Sequence, residues 1–122
     1  MTPPQTTAMS LAEIETLALS VFRAQGCDED NTAALARTVT TAERDGSVSH
    51  GLFRVPGYVA SLQSGKVNGS AQPKVSNDLA SVVTVDGDFG YAPLALERGL
   101  PVLAEAAPVS YTHLTLPTIC SV

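Results

Sequence analysis

Two amphipathic helical patterns lie close together in the first third of the sequence, and they constrain the fold more than any other feature. Ser10 followed by Glu13 is the capping-box pattern that begins a helix. An apolar stripe follows at the spacing of one helix face: Ile14, Leu17, Ala18, Val21 and Phe22. Gly26 tolerates the left-handed conformation that ends a helix, so we expect the first helix between Ser10 and Gly26.

The second pattern begins at Asp28, where acidic side chains suit the positive end of a helix dipole. It should continue through residues 33–43, and Gly46 is its natural end. Its buried stripe is expected to contain Leu35, Val39 and Ala42. The polar residues 45–49 then predict a turn.

A third helix is expected after that turn. Pro56 is tolerated in the first turn of a helix but not in its interior. We therefore predict a turn over residues 51–55 and a helix over residues 56–64, closed by Gly65. The inner face of this helix should hold Tyr58, Val59 and Leu62.

The remaining pattern predicts a hairpin and a fourth helix, which makes the fold class mixed α/β. The expected order is a loop at 66–73, strands at 74–77 and 81–85 with a turn at 77–80, a turn at 86–90 and a helix at 92–100. The second strand is rich in β-branched residues. Pro101 should break or kink the helix.

Composition limits the size of the domain and the class of partner. The 122 residues suit one small domain. With three Phe, three Tyr and no Trp, the core is expected to consist of Ala, Val and Leu, which gives marginal stability. Seven Lys and Arg against twelve Asp and Glu give a net charge of −5, which disfavours nucleic acid and anionic membrane surfaces as partners.

The sequence also predicts a cytoplasmic location. No apolar run approaches the roughly 20 residues of a membrane span, and residues 1–9 lack the basic and apolar regions of a secretory signal. Cys27 and Cys120 form neither a disulfide framework nor a zinc-site spacing, so no metal is expected.

We expect three segments along the chain. Residues 1–9 are predicted to be a disordered lead, and residues 10–107 form the domain. Residues 108–122 contain no Asp, Glu, Lys or Arg and predict neither a good helix nor an amphipathic strand. We expect this tail to be foreign to the domain before it.

The polar stretch around His50 is the strongest candidate for chemistry. The sequence lacks both G-x-G-x-x-G and the P-loop pattern. If the turn is helical, His50 and Arg54 share one face, because they are four residues apart. An imidazole can donate a proton near neutral pH, and a guanidinium can bind a carboxylate through two hydrogen bonds. Ser49 lies close enough in sequence to assist either group.

Simpler interpretations of the same residues stay open. His50 could only cap a helix, and Arg54 could only pair with Asp45 or Glu43. Cys27 is expected to be an inert thiol because no base lies beside it in sequence. Lys66 should be a solvated loop charge, and His113 lies in the tail and is given little weight.

The sequence resembles the malate/L-lactate dehydrogenase family, which is distinct from the Rossmann-type lactate and malate dehydrogenases. The resemblance lies in the pattern R-D-G-x-x-S-H-G-x-F-R-x-P-G-Y, which begins at Arg44, and in Ser64-Gly65. It extends over residues 11–107 and is greatest to the Δ1-piperideine-2-carboxylate/Δ1-pyrroline-2-carboxylate reductases. The motif S-H-G-x-x-R is fairly specific.

The resemblance implies NADPH-dependent reduction of cyclic 2-imino acids to L-pipecolate or L-proline, with NAD(H) as the alternative cofactor. Residue by residue, His50 matches the family's proton donor, Ser49 matches its charge-relay partner, and Arg54 matches the residue that binds the substrate carboxylate. It also implies a non-Rossmann NAD(P)-dependent oxidoreductase fold, of which this chain holds the N-terminal helices and first strands, and a homodimer for the full-length protein.

The chain departs from the family in length, and members continue into a cofactor-binding core that is not found in this sequence. We therefore expect a truncated chain whose cofactor contacts are missing. Pro101 is expected to interrupt a helix that the family keeps continuous. An NAD-dependent malate, lactate or ureidoglycolate dehydrogenase of the same family is the alternative activity. A non-catalytic helical fragment that only binds a partner is the alternative from another class.

Overall fold

The fold is an α/β arrangement in which four helices pack with one β-hairpin. The computed structural model describes residues 5–79 and 81–107. The predictions for the tail, including His113 and Cys120, concern residues outside this part. The elements are α1 (Leu11–Ala24), α2 (Glu29–Arg44), two single 3-10 turns (Val48–His50 and Leu52–Arg54), α3 (Val55–Gln63), β1 (Lys74–Leu79), β2 (Val82–Asp86) and α4 (Ala92–Ala106).

Helix α1 begins and ends as the sequence predicts. The Ser10 hydroxyl oxygen accepts a hydrogen bond from the backbone N–H of Glu13 at 3.1 Å and donates one to the Glu13 carboxylate at 3.2 Å. The chain leaves the helix through Gly26, whose φ of +91° favours glycine. The buried face consists of Ile14, Ala18 and Phe22.

Helix α2 packs against α1 and supplies the centre of the core. Asp28 caps its first turn, and Gly46 follows its end with a φ of +77°. The predicted stripe of Leu35, Val39 and Ala42 is buried, together with the polar Asn31 and Thr32. Cys27, between the two helices, is buried, and desolvation and the neighbouring Asp28 charge raise its pKa, which disfavours the reactive thiolate.

The core differs from the expected Ala, Val and Leu packing, because aromatic rings cross it. Phe22 and Tyr91 are the two largest fully buried side chains among the described residues. Tyr58 of α3 lies between them, with ring centroids 6.0 Å from Phe22 and 5.2 Å from Tyr91, both edge-to-face. The Tyr91 hydroxyl donates to the backbone carbonyl of Tyr58, so its polar end is satisfied. A few well-placed rings thus replace many aliphatic side chains.

The hairpin is antiparallel, but its turn is shorter than predicted. Strand β1 runs on to Leu79, so residues 77–79 belong to the strand and not to a turn. The register pairs Ser76 with Thr84 but Leu79 with Val82. This shift is a bulge, and it lets the poor strand formers Asn77 and Asp78 stay in the strand.

Helix α4 continues through Pro101, contrary to the expected break. A proline in a helix interior costs about 3 kcal/mol. Tertiary packing opposes that local cost, since α4 lies against α2 and both strands. Gly99 makes the approach to β2 possible, because a Cβ there would lie 2.6 Å from Val85 Cγ2.

The described residues include no helix that is both long and apolar enough to cross a membrane.

A polar network joins α2 to the loop before the hairpin. The Asp28 carboxylate accepts from the backbone N–H of Asn31 at 2.8 Å, from Asn31 Nδ2 at 2.9 Å and from Gln72 Nε2 at 2.7 Å. Arg98 of α4 donates to Gln72 Oε1 at 2.8 Å and to Asp30 at 3.2 Å. Burial works to raise the pKa of Asp28, but the hydrogen bonds from Asn31 and Gln72 outweigh it and lower the pKa.

Replacing Asp28 with alanine should lower the free energy of unfolding by about 1–2 kcal/mol at pH 7, because the helix cap is lost and the buried Asn31 amide loses an acceptor. The folded-state pKa of Asp28 lies below the unfolded value of about 3.9. The stabilisation by the Asp28 carboxylate is therefore fully present above the unfolded pKa of about 3.9. It is lost as the pH falls through the lower pKa of the folded state. Urea denaturation at pH 7 and near pH 3 measures this, with Asp28→Asn as the control that keeps an acceptor. An equal loss in Asp28→Ala at both pH values would contradict the assignment.

Candidate active site

The predicted site lies on two consecutive 3-10 turns between α2 and α3. Ser49 and His50 belong to the first turn, and Arg54 belongs to the second. The backbone N–H of His50 donates to Ser47 O at 2.9 Å, and that of Arg54 donates to Gly51 O at 2.9 Å. All three side chains are therefore carried by one short, locally hydrogen-bonded segment.

The segment is not one continuous helical turn. Gly51 separates the two turns with φ −89° and ψ −137°, which is not a helical conformation. The expectation that His50 and Arg54 share a helix face rested on unbroken helix geometry and does not apply. Their relative placement depends on how the two turns meet at Gly51.

Glu43 contacts the chain where the two turns meet, a role that its position in the sequence does not predict. Its carboxylate Oε1 accepts a hydrogen bond from the backbone N–H of Leu52 at 2.8 Å. Glu43 lies in the last turn of α2 and is half-buried. The acid-to-amide spacing of nine residues has no local signature, so only the fold reveals it.

Ser49, His50 and Arg54 are exposed. Two apolar side chains of the same turns are also exposed: Val48 by 67% and Phe53 by 79%. The segment therefore presents both polar and apolar groups outward.

His50 lines a shallow, open depression of about 520 Å³, here called the cleft. The cleft runs between the second half of α2, the turn after it and α4. Its other lining residues are Arg37, Thr38, Thr41, Ala42, Asp45, Ser47 and Glu97. Ser49 and Arg54 do not line it, so the structure brings only His50 of the three to this cleft.

Arg54 does not form the ion pair with Asp45 or Glu43 that was the simpler interpretation of its sequence position. Asp45 is engaged by Arg44, with Nε 2.9 Å from Oδ1, and this hydrogen bond lowers the pKa of Asp45. Glu43 accepts from the Leu52 amide instead. Within residues 5–79 and 81–107, Arg54 forms no ion pair.

The charge of Arg54 also affects the pKa of the Tyr58 hydroxyl. Burial raises the pKa of Tyr58, while the positive charge of Arg54 opposes the rise. The exposed Arg54 guanidinium therefore lies close enough to Tyr58 for its charge to act on that hydroxyl. Lys66 is exposed in its loop, as predicted.

A dinucleotide cofactor does not fit the cleft beside His50. Its one guanidinium, that of Arg37, forms a two-point ion pair with Glu97, and the carboxylates of Asp45 and Glu97 would repel a phosphate. No group of three or more His, Cys, Asp or Glu side chains that could hold a metal occurs in the described part of the chain. These residues alone therefore do not form a cofactor cradle.

The fold is one that solved dehydrogenases and reductases share. The profile of the malate/L-lactate dehydrogenase family matches residues 9–110. The chain belongs to this family, and the predicted resemblance is confirmed. It also confirms the oxidoreductase class.

Relatives with assigned names agree with this placement. A Δ1-pyrroline-2-carboxylate reductase of Ancylobacter novellus is 44% identical over 99 residues, which is 81% of this chain and 29% of the relative. A Δ1-pyrroline-2-carboxylate/Δ1-piperideine-2-carboxylate reductase of Pseudomonas putida is 39% identical over 110 residues, covering 88% and 32%. The chain thus spans about a third of the length of these relatives.

Solved structures place the fold in the same family. The Δ1-piperideine-2-carboxylate reductase of Pseudomonas syringae superposes with a TM-score of 0.80 at 38% identity, over 85% of this chain and 31% of that one. The malate dehydrogenase of Entamoeba histolytica gives a TM-score of 0.77 at 24% identity, over 86% and 29%, and shows the shared fold alone. The expected fold class, the N-terminal part of this oxidoreductase fold, is confirmed.

Proposed function

We propose that this chain supplies the proton-donating and carboxylate-binding part of an NADPH-dependent reductase of cyclic 2-imino acids. The substrates would be Δ1-piperideine-2-carboxylate and Δ1-pyrroline-2-carboxylate, and the products L-pipecolate and L-proline. The observation that carries the proposal is the exposed His50 on a turn tied to α2, with the unpaired Arg54 on the next turn. Relatives named for this reaction support it.

Each residue has a role that its chemistry suits. Reduction of the ring C=N bond adds a hydride at carbon and a proton at nitrogen, and His50 donates that proton. Ser49, its neighbour on the same turn, is the charge-relay partner, whose hydroxyl can form a hydrogen bond with the imidazole. Arg54 binds the substrate carboxylate through two parallel hydrogen bonds, since no carboxylate among the described residues occupies it.

The reduced nicotinamide is the source of the hydride. The cleft beside His50 does not suit phosphate, so we place the cofactor's phosphate-binding residues outside this cleft. NADPH is our proposal, and NADH is the alternative. A homodimer in the complete protein and a cytoplasmic location, with no nucleic-acid or membrane partner, remain predictions.

A hybrid enzyme tests the proposal. Residues 9–107 of this chain replace the matching segment of the Pseudomonas syringae reductase, which gives what is called below the hybrid reductase. We expect NADPH oxidation with Δ1-piperideine-2-carboxylate within about tenfold of the parent enzyme, because the two segments share one fold, with a TM-score of 0.80 at 38% identity. The parent reductase is the positive control, and circular dichroism verifies folding.

Two outcomes contradict the proposal. A folded hybrid that reduces neither imine would remove the catalytic role from these residues and favour a non-catalytic interaction fragment. A hybrid that oxidises malate with NAD but leaves both imines unchanged would favour the alternative dehydrogenase activity.

A further inference from the structure

One carboxylate of α2 forms a hydrogen bond with the segment that contains the two 3-10 turns. Glu43 Oε1 accepts from the backbone N–H of Leu52 at 2.8 Å, and Leu52 is the first residue of the second turn. The hydrogen bond therefore acts at the junction between the turn with His50 and the turn with Arg54. A backbone N–H bonded to a carboxylate is held more strongly than one bonded to a neutral oxygen.

Gly51 makes this contact possible. A Cβ at Gly51 would lie 2.1 Å from Glu43 Oε1, 2.6 Å from Cδ and 2.8 Å from Cγ. These distances are far inside van der Waals contact, so any side chain at this position would displace the carboxylate. The glycine between the turns and the glutamate of α2 are thus complementary parts of one contact.

The other charged groups nearby leave Glu43 to this task. Arg44, next to it, is paired with Asp45, and Arg37 is paired with Glu97. Within the described residues, no cation lies within ion-pair distance of Glu43. Its described partner is the Leu52 amide.

We propose that Glu43 is a positioning residue, which fixes the orientation of Arg54 relative to His50 through the Leu52 amide and the unsubstituted Gly51. This inference rests on the proposed function, because it assigns those two side chains to one substrate. Arg54 sets where the carboxylate binds, and His50 must then reach the ring nitrogen. Misplacement by about 1 Å can reduce a rate about 100-fold, so the junction governs the reaction.

Amide hydrogen exchange in the 122-residue chain tests the contact without any assay of activity. We expect Glu43→Ala to speed exchange at the Leu52 amide about tenfold or more, since a charge-assisted hydrogen bond is lost. Glu43→Gln keeps an acceptor and should restore most of the protection. Gly51→Ala should speed exchange like Glu43→Ala, and the double variant should add nothing further.

Glu105→Ala is the matched control for exchange at the Leu52 amide. Glu105→Ala removes an exposed carboxylate from α4 and should leave Leu52 exchange unchanged. Unchanged exchange in Glu43→Ala, or additive effects of the Glu43 and Gly51 substitutions, would overturn the inference.

Steady-state kinetics of the hybrid reductase test whether Glu43 positions Arg54 relative to His50. Glu43→Ala should lower kcat/KM about tenfold to 100-fold, with both a lower kcat and a higher KM. Glu43→Gln should recover it to within about threefold. Unchanged kinetics in Glu43→Ala would overturn the positioning role. An inactive parent hybrid would instead refute the proposed function, and the exchange experiment would still decide whether Glu43 holds the turn.

Discussion

Replacing His50 with alanine is expected to lower kcat for imine reduction by the hybrid reductase about 100-fold to 10,000-fold, the usual contribution of a positioned acid. KM should change little, because the substrate carboxylate is assigned to Arg54. Steady-state oxidation of NADPH at saturating Δ1-piperideine-2-carboxylate measures the effect. His50 suits this prediction because its side chain is exposed at the cleft and not part of the core.

Lys66→Ala is the matched control for this experiment. Lys66 is also an exposed cation-forming side chain, but it lies in the loop after α3. Its removal should leave kcat unchanged. If the folded His50→Ala variant retains more than about a tenth of the kcat of the unsubstituted hybrid reductase, His50 is not the proton donor.

Replacing Phe22 with alanine is expected to lower the free energy of unfolding by about 3–5 kcal/mol. The Phe22 side chain is 0% exposed and packs edge-to-face on Tyr58. Small domains have only about 5–15 kcal/mol in total, so the variant should be close to unfolding at 25 °C. Urea denaturation followed by far-ultraviolet circular dichroism measures this in the 122-residue chain.

Phe89→Ala makes the same chemical change at an exposed position. The Phe89 side chain is 88% exposed in the turn before α4. Its loss should change stability by about 0.5 kcal/mol or less. Equal losses in the two variants would mean that the aromatic packing does not hold the core.

The helices were predictable because their signals are local. Ser10, Asp28, Gly26 and Gly46 mark the ends of α1 and α2 through contacts or backbone conformations within a few residues. The apolar stripes repeat at the helical period, so the buried faces followed directly.

The secondary-structure and core predictions are wrong where contacts between distant residues outweigh local conformational preference. Pro101 predicts a break or a kink, and the break is wrong: α4 continues to Ala106 and packs on α2 and on the hairpin. Asp78 and Leu79 were predicted in a turn, yet β1 continues through both, with a bulge between Ser76 and Leu79. The core was expected to be built from Ala, Val and Leu because aromatic residues are few, yet Tyr58 lies between Phe22 and Tyr91 inside it.

The sequence by itself determined the family, the order of the elements and the candidate residues Ser49, His50 and Arg54, because these depend on short motifs and on local periodicity. Only the tertiary structure decided how the candidate residues are held. The carboxylate of Glu43 reaches across nine positions to the Leu52 amide, over a Gly51 with no side chain to exclude it. Such a contact depends on the path of the folded chain, which no local pattern encodes.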